Sequence, residues 1–217
     1  MELINYIITI MPMMLTGLVT TLHMYFWSAI FVIPLAILFA FLKASGPRPI
    51  RWILNIYTWA WRGTPLLLQL MVAIFGLPTI GINISNKFAV AAVVFCLNNT
   101  AYVTEIMRSA IESVDRGQYE ACQVLGFSRM WTILRIVIPQ SIRIALPPTC
   151  SMMINLIKDM ALVNIISLMD LTRSAYIISN RDTTISPYVI AFIMFLLITS
   201  ILIKLFGVLE KRAMRYD

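Results

Sequence analysis

The stretch Glu120-Ala-Cys-Gln-Val-Leu-Gly-Phe-Ser-Arg-Met-Trp-Thr-Ile-Leu-Arg-Ile-Val-Ile-Pro139 is polar and basic in a chain that is otherwise oily. It keeps an apolar rhythm and closes on a proline. Gln118 to Leu125 has room for two helical turns, with Tyr119, Cys122 and Leu125 at spacing three. Gly126 is placed to end that helix, because glycine adopts the left-handed backbone of a C-terminal cap. A second basic amphipathic helix is expected beyond it. Met130, Ile133, Leu134 and Val137 would share one face, with Arg129 and Arg135 off it, and Pro139 would bend or end it. A short rigid helix of this kind suits a groove on another protein. The plain alternative is a connecting loop.

The surroundings explain why such a patch stands out. The chain has 217 residues, 60% hydrophobic and 12% charged, against about 25% charged in a soluble domain. Hydropathy this high along the whole length argues for an all-α integral membrane protein. The expected organisation is one transmembrane domain over residues 1–217. The net charge of +7 does not imply nucleic acid, because the basic residues flank apolar runs and form no separate domain. Cys96, Cys122 and Cys150 are far apart and include no C-x-x-C. They indicate neither a metal site nor a disulfide framework.

Five stretches are long enough to cross, each near the ~20 residues a spanning helix needs. Leu3 to Leu42 carries no Asp, Glu, Lys or Arg and a single histidine, His23. At about 1.5 Å per residue it is roughly twice the hydrocarbon thickness. Pro12 and Gly17 therefore suggest an N-terminal interfacial segment over 1–21, followed by a span from Leu22. The start lacks the basic region of a signal peptide. The later spans are expected at 63–85, 88–107, 144–169 (interrupted by Lys158-Asp159) and 185–203. The piece from Trp52 to Trp61 is too short to cross. It is expected at the interface or as a cytosolic extension of the second helix.

Twelve of the 17 basic residues fall on one side of this topology: Lys43, Arg48 and Arg51, then Arg108, Arg116, Arg129, Arg135 and Arg143, then Lys204, Lys211, Arg212 and Arg215. Lys87, Arg173 and Arg181 fall on the other. Excess Lys and Arg mark the cytoplasmic side. The amino terminus is therefore expected outside and the carboxyl terminus inside, with 116–139 as a cytoplasmic loop.

Glu120-Ala121-Cys122, Gly126 and Ile136-x-Ile138-Pro139 resemble the E-A-A-x3-G-x9-I-x-L-P signature of ABC-importer membrane subunits. Cys122 replaces an alanine and Ile138 a leucine, and the spacing is intact. Arg62-Gly63-Thr64-Pro65-Leu66 and Ile157-Lys158-Asp159 resemble the polar-amino-acid branch of that family. Where the branch reads K-D-[ST]-S-L, this chain has Met160-Ala161 and lacks two hydroxyls. The resemblance covers nearly the whole chain.

It implies a type I importer permease with a coupling helix, which transmits closure of a cytoplasmic ATPase dimer to the spanning helices. Glu120, Ala121, Cys122, Gly126 and Pro139 would be the coupling residues. It also implies ATPase subunits carrying ATP-Mg and an extracytoplasmic amino-acid-binding protein. The location implied is the bacterial cytoplasmic membrane. This chain is expected to bind no cofactor or metal and to be no enzyme. Gly76 and Gly81 have the spacing of a phosphate loop, but Ile82-Asn83 follows instead of Lys-Ser/Thr. Five helices enclose little of a pathway, so a homo- or heterodimer with the route between its halves is expected. A transporter or channel driven by an ion gradient would share the oily spans, but leaves the cytoplasmic helix unexplained.

A charge at the centre of a spanning helix costs roughly 2.5–3.5 kcal/mol on insertion scales, so Asp159 and Glu105 draw attention. Asn98, Tyr102 and Glu105 recur at i, i+4 and i+7, one helical face. With Asp159 they offer amide, phenol and carboxylate groups to a zwitterion. A carboxylate would hold an α-ammonium group, and Asn98 or Thr100 a carboxylate. The structural alternatives are that Glu105 pairs with Arg108 at i+3 and that Asp159 pairs with a neighbouring helix. Arg62 is expected as an anchor near the headgroups, and His23 as an interfacial residue.

Overall fold

The computed structural model describes residues 2–82 and 84–213, with side chains from residue 4 onward. Asn83, in the lost phosphate-loop pattern, and Arg215, of the basic tail, lie outside the described residues. Every regular element among the described residues is helical. Four helices are long and apolar enough to cross a membrane: 4–45, 87–112, 129–166 and 186–213. A fifth span is possible if the bent pair 48–63 and 66–80 is taken as one. The expected number and order agree with this, while several boundaries do not.

Helix α1 runs unbroken over Glu2–Ser45 with Pro12 and Pro34 inside it. No helix break separates residues 2–21 from the rest. Gly17 has a different use from the one expected. A Cβ there would lie 2.6 Å from the Asp170 carbonyl oxygen, so only glycine lets α1 approach the start of α8 (Leu171–Asp182). Thr21 Oγ accepts from Leu171 N at 3.2 Å. Ile10 and Met14 are buried with Leu171, Ala175 and Ile178. The long first helix is thus held at its amino-terminal half by packing against α8.

Helix α2 (Arg48–Gly63) and α3 (Leu66–Met71) meet at a bend of 105°. The segment 52–61 therefore does not extend the second span. Beyond α3 the chain tightens through a π turn, Val72–Gly76, and a 3-10 turn, Leu77–Ile80. Gly81 at φ 86° ends it, short of the expected limit at Ser85.

Helix α4 (Lys87–Glu112) starts on Asn86, whose side chain accepts from Ala89 N. It forms the centre of the bundle. In its most apolar 18-residue window 61% is buried, against 11% in the last helix, α9 (Ser186–Ala213). Ala91, Val94, Phe95 and Val103 of α4 pack into one core with Leu156, Ile157 and Met160. Helix α9 turns most of its apolar side chains outward, as a lipid-facing helix does.

Helix α5 (Arg116–Val124) begins on Asp115, whose carboxylate accepts from Gly117 N at 2.6 Å. It ends at Gly126, φ 80°, where Phe127 N reaches Cys122 O at 3.0 Å and Gly126 N reaches Gln123 O at 3.0 Å. These are the two closing bonds of a glycine-capped helix. Helix α6 (Arg129–Thr132) starts on Ser128, which accepts from Trp131 N. A π turn over Ile133–Val137 joins it directly to α7 (Ile138–Asp159). Pro139 therefore does not end a separate cytoplasmic helix. It has no N–H to offer a carbonyl four residues back, and the widened turn beside it accommodates the missing bond. The fourth span is consequently longer than expected and starts well before Ile144. Its α-helix changes to a 3-10 turn, Met160–Ile166, immediately after Lys158-Asp159.

Candidate functional site

The bend between α2 and α3 builds the first wall of the site. In a continuous helix the Trp61 carbonyl would accept from residue 65, but Pro65 has no N–H. Gln69 Nε donates to that oxygen at 2.9 Å, and Asn98 Nδ from α4 donates to it at 3.2 Å. Gln69 Nε also reaches Thr64 Oγ at 2.7 Å, and the Thr64 hydroxyl donates to Ala60 O at 2.8 Å. Asn98 Nδ donates to Gln69 Oε at 2.8 Å. The Arg-Gly-Thr-Pro stretch is thus a polar elbow, with its loose carbonyls held by two amides.

A cavity of about 370 Å³ lies against this elbow. Thr64 and Pro65 line one side, Asn98 and Tyr102 of α4 another, and Asn155 and Asp159 of α7 the third. Three of the sequence-selected residues, Asn98, Tyr102 and Asp159, therefore meet at one place. Asp159 is half-buried, while Lys158 is exposed. Among the described residues no side chain hydrogen-bonds the Asp159 carboxylate.

Glu105 is elsewhere. Its carboxylate is clasped by Lys43 Nζ and by Arg108 Nε at 2.7 Å, with Arg62 Nη at 3.8 Å. Lys43 also donates to Thr58 Oγ at 2.9 Å. The side chains of Lys43 and Glu105 are only 5% and 12% exposed, so a buried ion pair joins α1 to α4, with α2 tied in through Thr58. The alternative pairing with Arg108 is present, and Lys43 adds to it from 62 positions away. Glu105 lines a neighbouring cavity of about 460 Å³ with Arg62, Ser109 and Ser113. Tyr102 borders both cavities. The Arg62 guanidinium sits 5.5 Å from the centre of the Tyr102 ring, which makes it more than a headgroup anchor.

Thr100 is not brought to either cavity. It is fully buried, its hydroxyl 3.9 Å from Cys96 Sγ. Two residues from Asn98, it lies well around the helix from that face. His23 accepts from Trp27 Nε at 2.9 Å. Gln69, Asn155 and Lys43 were missed from sequence. The signal for Gln69 was present: a proline leaves the carbonyl four residues earlier without its donor, and an amide stands one turn after the proline.

On the segment 116–139, Glu120, Ala121 and Gly126 are exposed, Cys122 is buried, and Pro139 is exposed. Tyr119 packs inward with Cys122, but Leu125 is 70% exposed and faces out. The face expected on the next helix also divides. Ile133 and Val137 are buried, while Met130 and Leu134 are exposed. Phe127 and Trp131 stack with ring centres 4.0 Å apart. Val124, Leu125, Phe127 and Met130 with this pair leave an apolar surface around the α5–α6 turn.

Comparison with known proteins places this arrangement. The family model described as binding-protein-dependent transport system inner membrane component matches residues 32–215. An L-cystine transport system permease protein of Bacillus subtilis is 35% identical over 94% of this chain and 88% of its own length. An arginine transport system permease protein of the same organism is 40% identical over 76% of this chain and 75% of its own. A crystal structure of an amino acid ABC transporter with histidines superposes with a TM-score of 0.88 at 32% identity, covering 97% of both chains. The MetNI methionine ABC transporter in an inward-facing conformation shares the fold, with a TM-score of 0.73 at 17% identity over 94% of this chain and 97% of its own. The chain belongs to the family of binding-protein-dependent transport system inner membrane components, among relatives named as amino-acid ABC permeases.

Proposed function

We propose that this protein is the membrane-spanning subunit of an ATP-driven importer for a polar amino acid, working by alternating access between two halves of a dimer. The observation that carries the reading is the meeting of Asn98, Tyr102 and Asp159 at one cavity beside the elbow. A carboxylate with no hydrogen-bonding side chain suits the α-ammonium group of an amino acid, and the Tyr102 hydroxyl suits its carboxylate, while Asn98, whose two amide donors hold the elbow, shapes the wall. Relatives named for cystine, arginine and glutamine transport support an amino-acid cargo. Glu105 is held by its own cations and acts in the wall between the cavities. Thr100 acts in packing.

Residues 118–127 couple the cycle to a separate cytoplasmic ATPase that carries ATP-Mg. Glu120, Ala121 and Gly126 lie at the contact, and Cys122 roots the helix in the bundle. The whole of 1–217 serves as one permease domain, with 116–139 as its coupling loop. An extracytoplasmic binding protein delivers cargo. The chain sits in the bacterial cytoplasmic membrane with its amino terminus outside and its carboxyl terminus inside. Cargo affinity must differ between the two states, otherwise no direction results.

Copurifying the complete complex and measuring its ATPase stimulation across a panel of amino acids tests the reading. One or a few polar amino acids should stimulate. Uptake in liposomes that persists without ATP and without any ATPase subunit would overturn it in favour of an ion-driven carrier. Labelling an introduced cysteine near Glu120 from outside intact cells would overturn the orientation.

A further inference from the structure

A third cavity, of about 490 Å³, lies between the end of α1, the start of α2, the end of α4 and the coupling helices. Four cationic side chains line it: Lys43, Arg51, Arg108 and Arg129. Two of them are already committed. Lys43 and Arg108 bind Glu105, and Arg108 also binds Glu112. Arg51 and Arg129 have no carboxylate partner among the described residues. They come from elements 78 positions apart and converge on the same concave surface. Glu112 is the only carboxylate on the lining, and Arg108 occupies it. The cavity therefore offers two unneutralised guanidinium groups, with Tyr119 also on its lining.

The geometry points to a binding site for a phosphate ester in this cavity, held by Arg51 and Arg129. Guanidinium groups present paired donors that match phosphate oxygens. The volume is ample for a glycerophosphate headgroup. Next to Arg51, helix α2 turns Trp52 and Trp59 outward, 66% and 76% exposed. Tryptophan and arginine side by side are what a headgroup layer favours. The same chemistry would take a soluble phosphate. Because Tyr119 belongs to α5 and Arg129 to α6, an occupant would touch the coupling segment from the membrane side.

Native mass spectrometry of the full-length chain, purified with its copurifying partners in detergent, tests this. The probes are phosphatidylglycerol, phosphatidylcholine and inorganic phosphate. Each basic residue near an anionic surface contributes about a fivefold factor in binding, so R51Q/R129Q should bind phosphatidylglycerol about 30-fold more weakly. A charge-matched control, K211Q/R212Q, should retain its adducts. Should the double variant fail to purify, R51Q alone reads a loss of about fivefold. Displacement of the adduct by millimolar inorganic phosphate would support the site with a soluble source; its persistence would support the lipid. Equal adduct counts in wild type and R51Q/R129Q, an equal loss in the control, or no anionic adduct at all would overturn the proposal. The count is made on purified protein, so its failure leaves the transport reading standing, and failure of transport leaves the count standing.

Discussion

Among the acidic side chains inside this bundle, Glu105 and Asp159 have opposite surroundings. Glu105 is gripped by Lys43 and Arg108, with Arg62 close by. Asp159 borders a cavity and has no side chain hydrogen-bonded to its carboxylate. A buried charge whose partners are all in place becomes costly when one partner is removed, because the other is left uncompensated. A charge left without them is available to something that arrives. Both carboxylates looked alike as intramembrane candidates, and their partners separate one already neutralised from one with no bound side chain.

Substitutions can break that contrast in order of size. Lys43→Met should be the most damaging, because it leaves Glu105 buried with less compensation; removing one member of a buried pair costs about 3–5 kcal/mol. Thermal unfolding in detergent would read it as a large fall in apparent melting temperature. An unchanged melting temperature would show that the pair is not structural. Asp159→Asn should do the reverse, weakening amino-acid-stimulated ATPase by about 1.5–3 kcal/mol in apparent affinity and leaving the melting temperature unchanged. Unchanged affinity for every cargo would remove Asp159 from the site.

Gln69→Ala sharpens the boundary between the two roles. It strips donors from the Trp61 carbonyl and frees the Asn98 amide, at a cost of about 1–3 kcal/mol. Because the elbow also lines the cavity, both stability and cargo affinity should fall, unlike in either carboxylate variant. Thr100→Val should have the smallest effect, with cargo affinity unchanged and stability lower by about 1 kcal/mol for the lost hydroxyl contact. A cargo effect as large as that of Asp159→Asn would return Thr100 to the site.

Much of the architecture was legible in the residues. The apolar runs announced the spans, because twenty oily residues have few stable alternatives to a membrane helix. Gly126 announced the end of α5, because its left-handed backbone disfavours other residues. The spacing of Asn98 and Tyr102 announced a shared face, because helical periodicity is local. Some of the misread boundaries involved proline or glycine; others, such as the end of α4 at Glu112 rather than Met107, did not. Pro12 and Gly17 suggested an interfacial segment ahead of the first span, whereas α1 is one continuous helix from Glu2, and Gly17 permits contact with Asp170. Pro139 looked like an end, yet a π turn carries the helix past it.

From its order of residues alone this chain was a multi-spanning helical protein with a capped, basic, amphipathic turn between two oily stretches. These properties depend on neighbours within a few positions, where hydrogen bonding and periodicity act. Which carboxylate would be neutralised could not be read that way. Glu105 meets Lys43 across 62 positions, and Asp159 meets Asn98 across 61, and such distances are set by how α1, α4 and α7 pack. Electrostatic partnership depends on proximity in space, so only the packed bundle decided which acid was neutralised and which was left open.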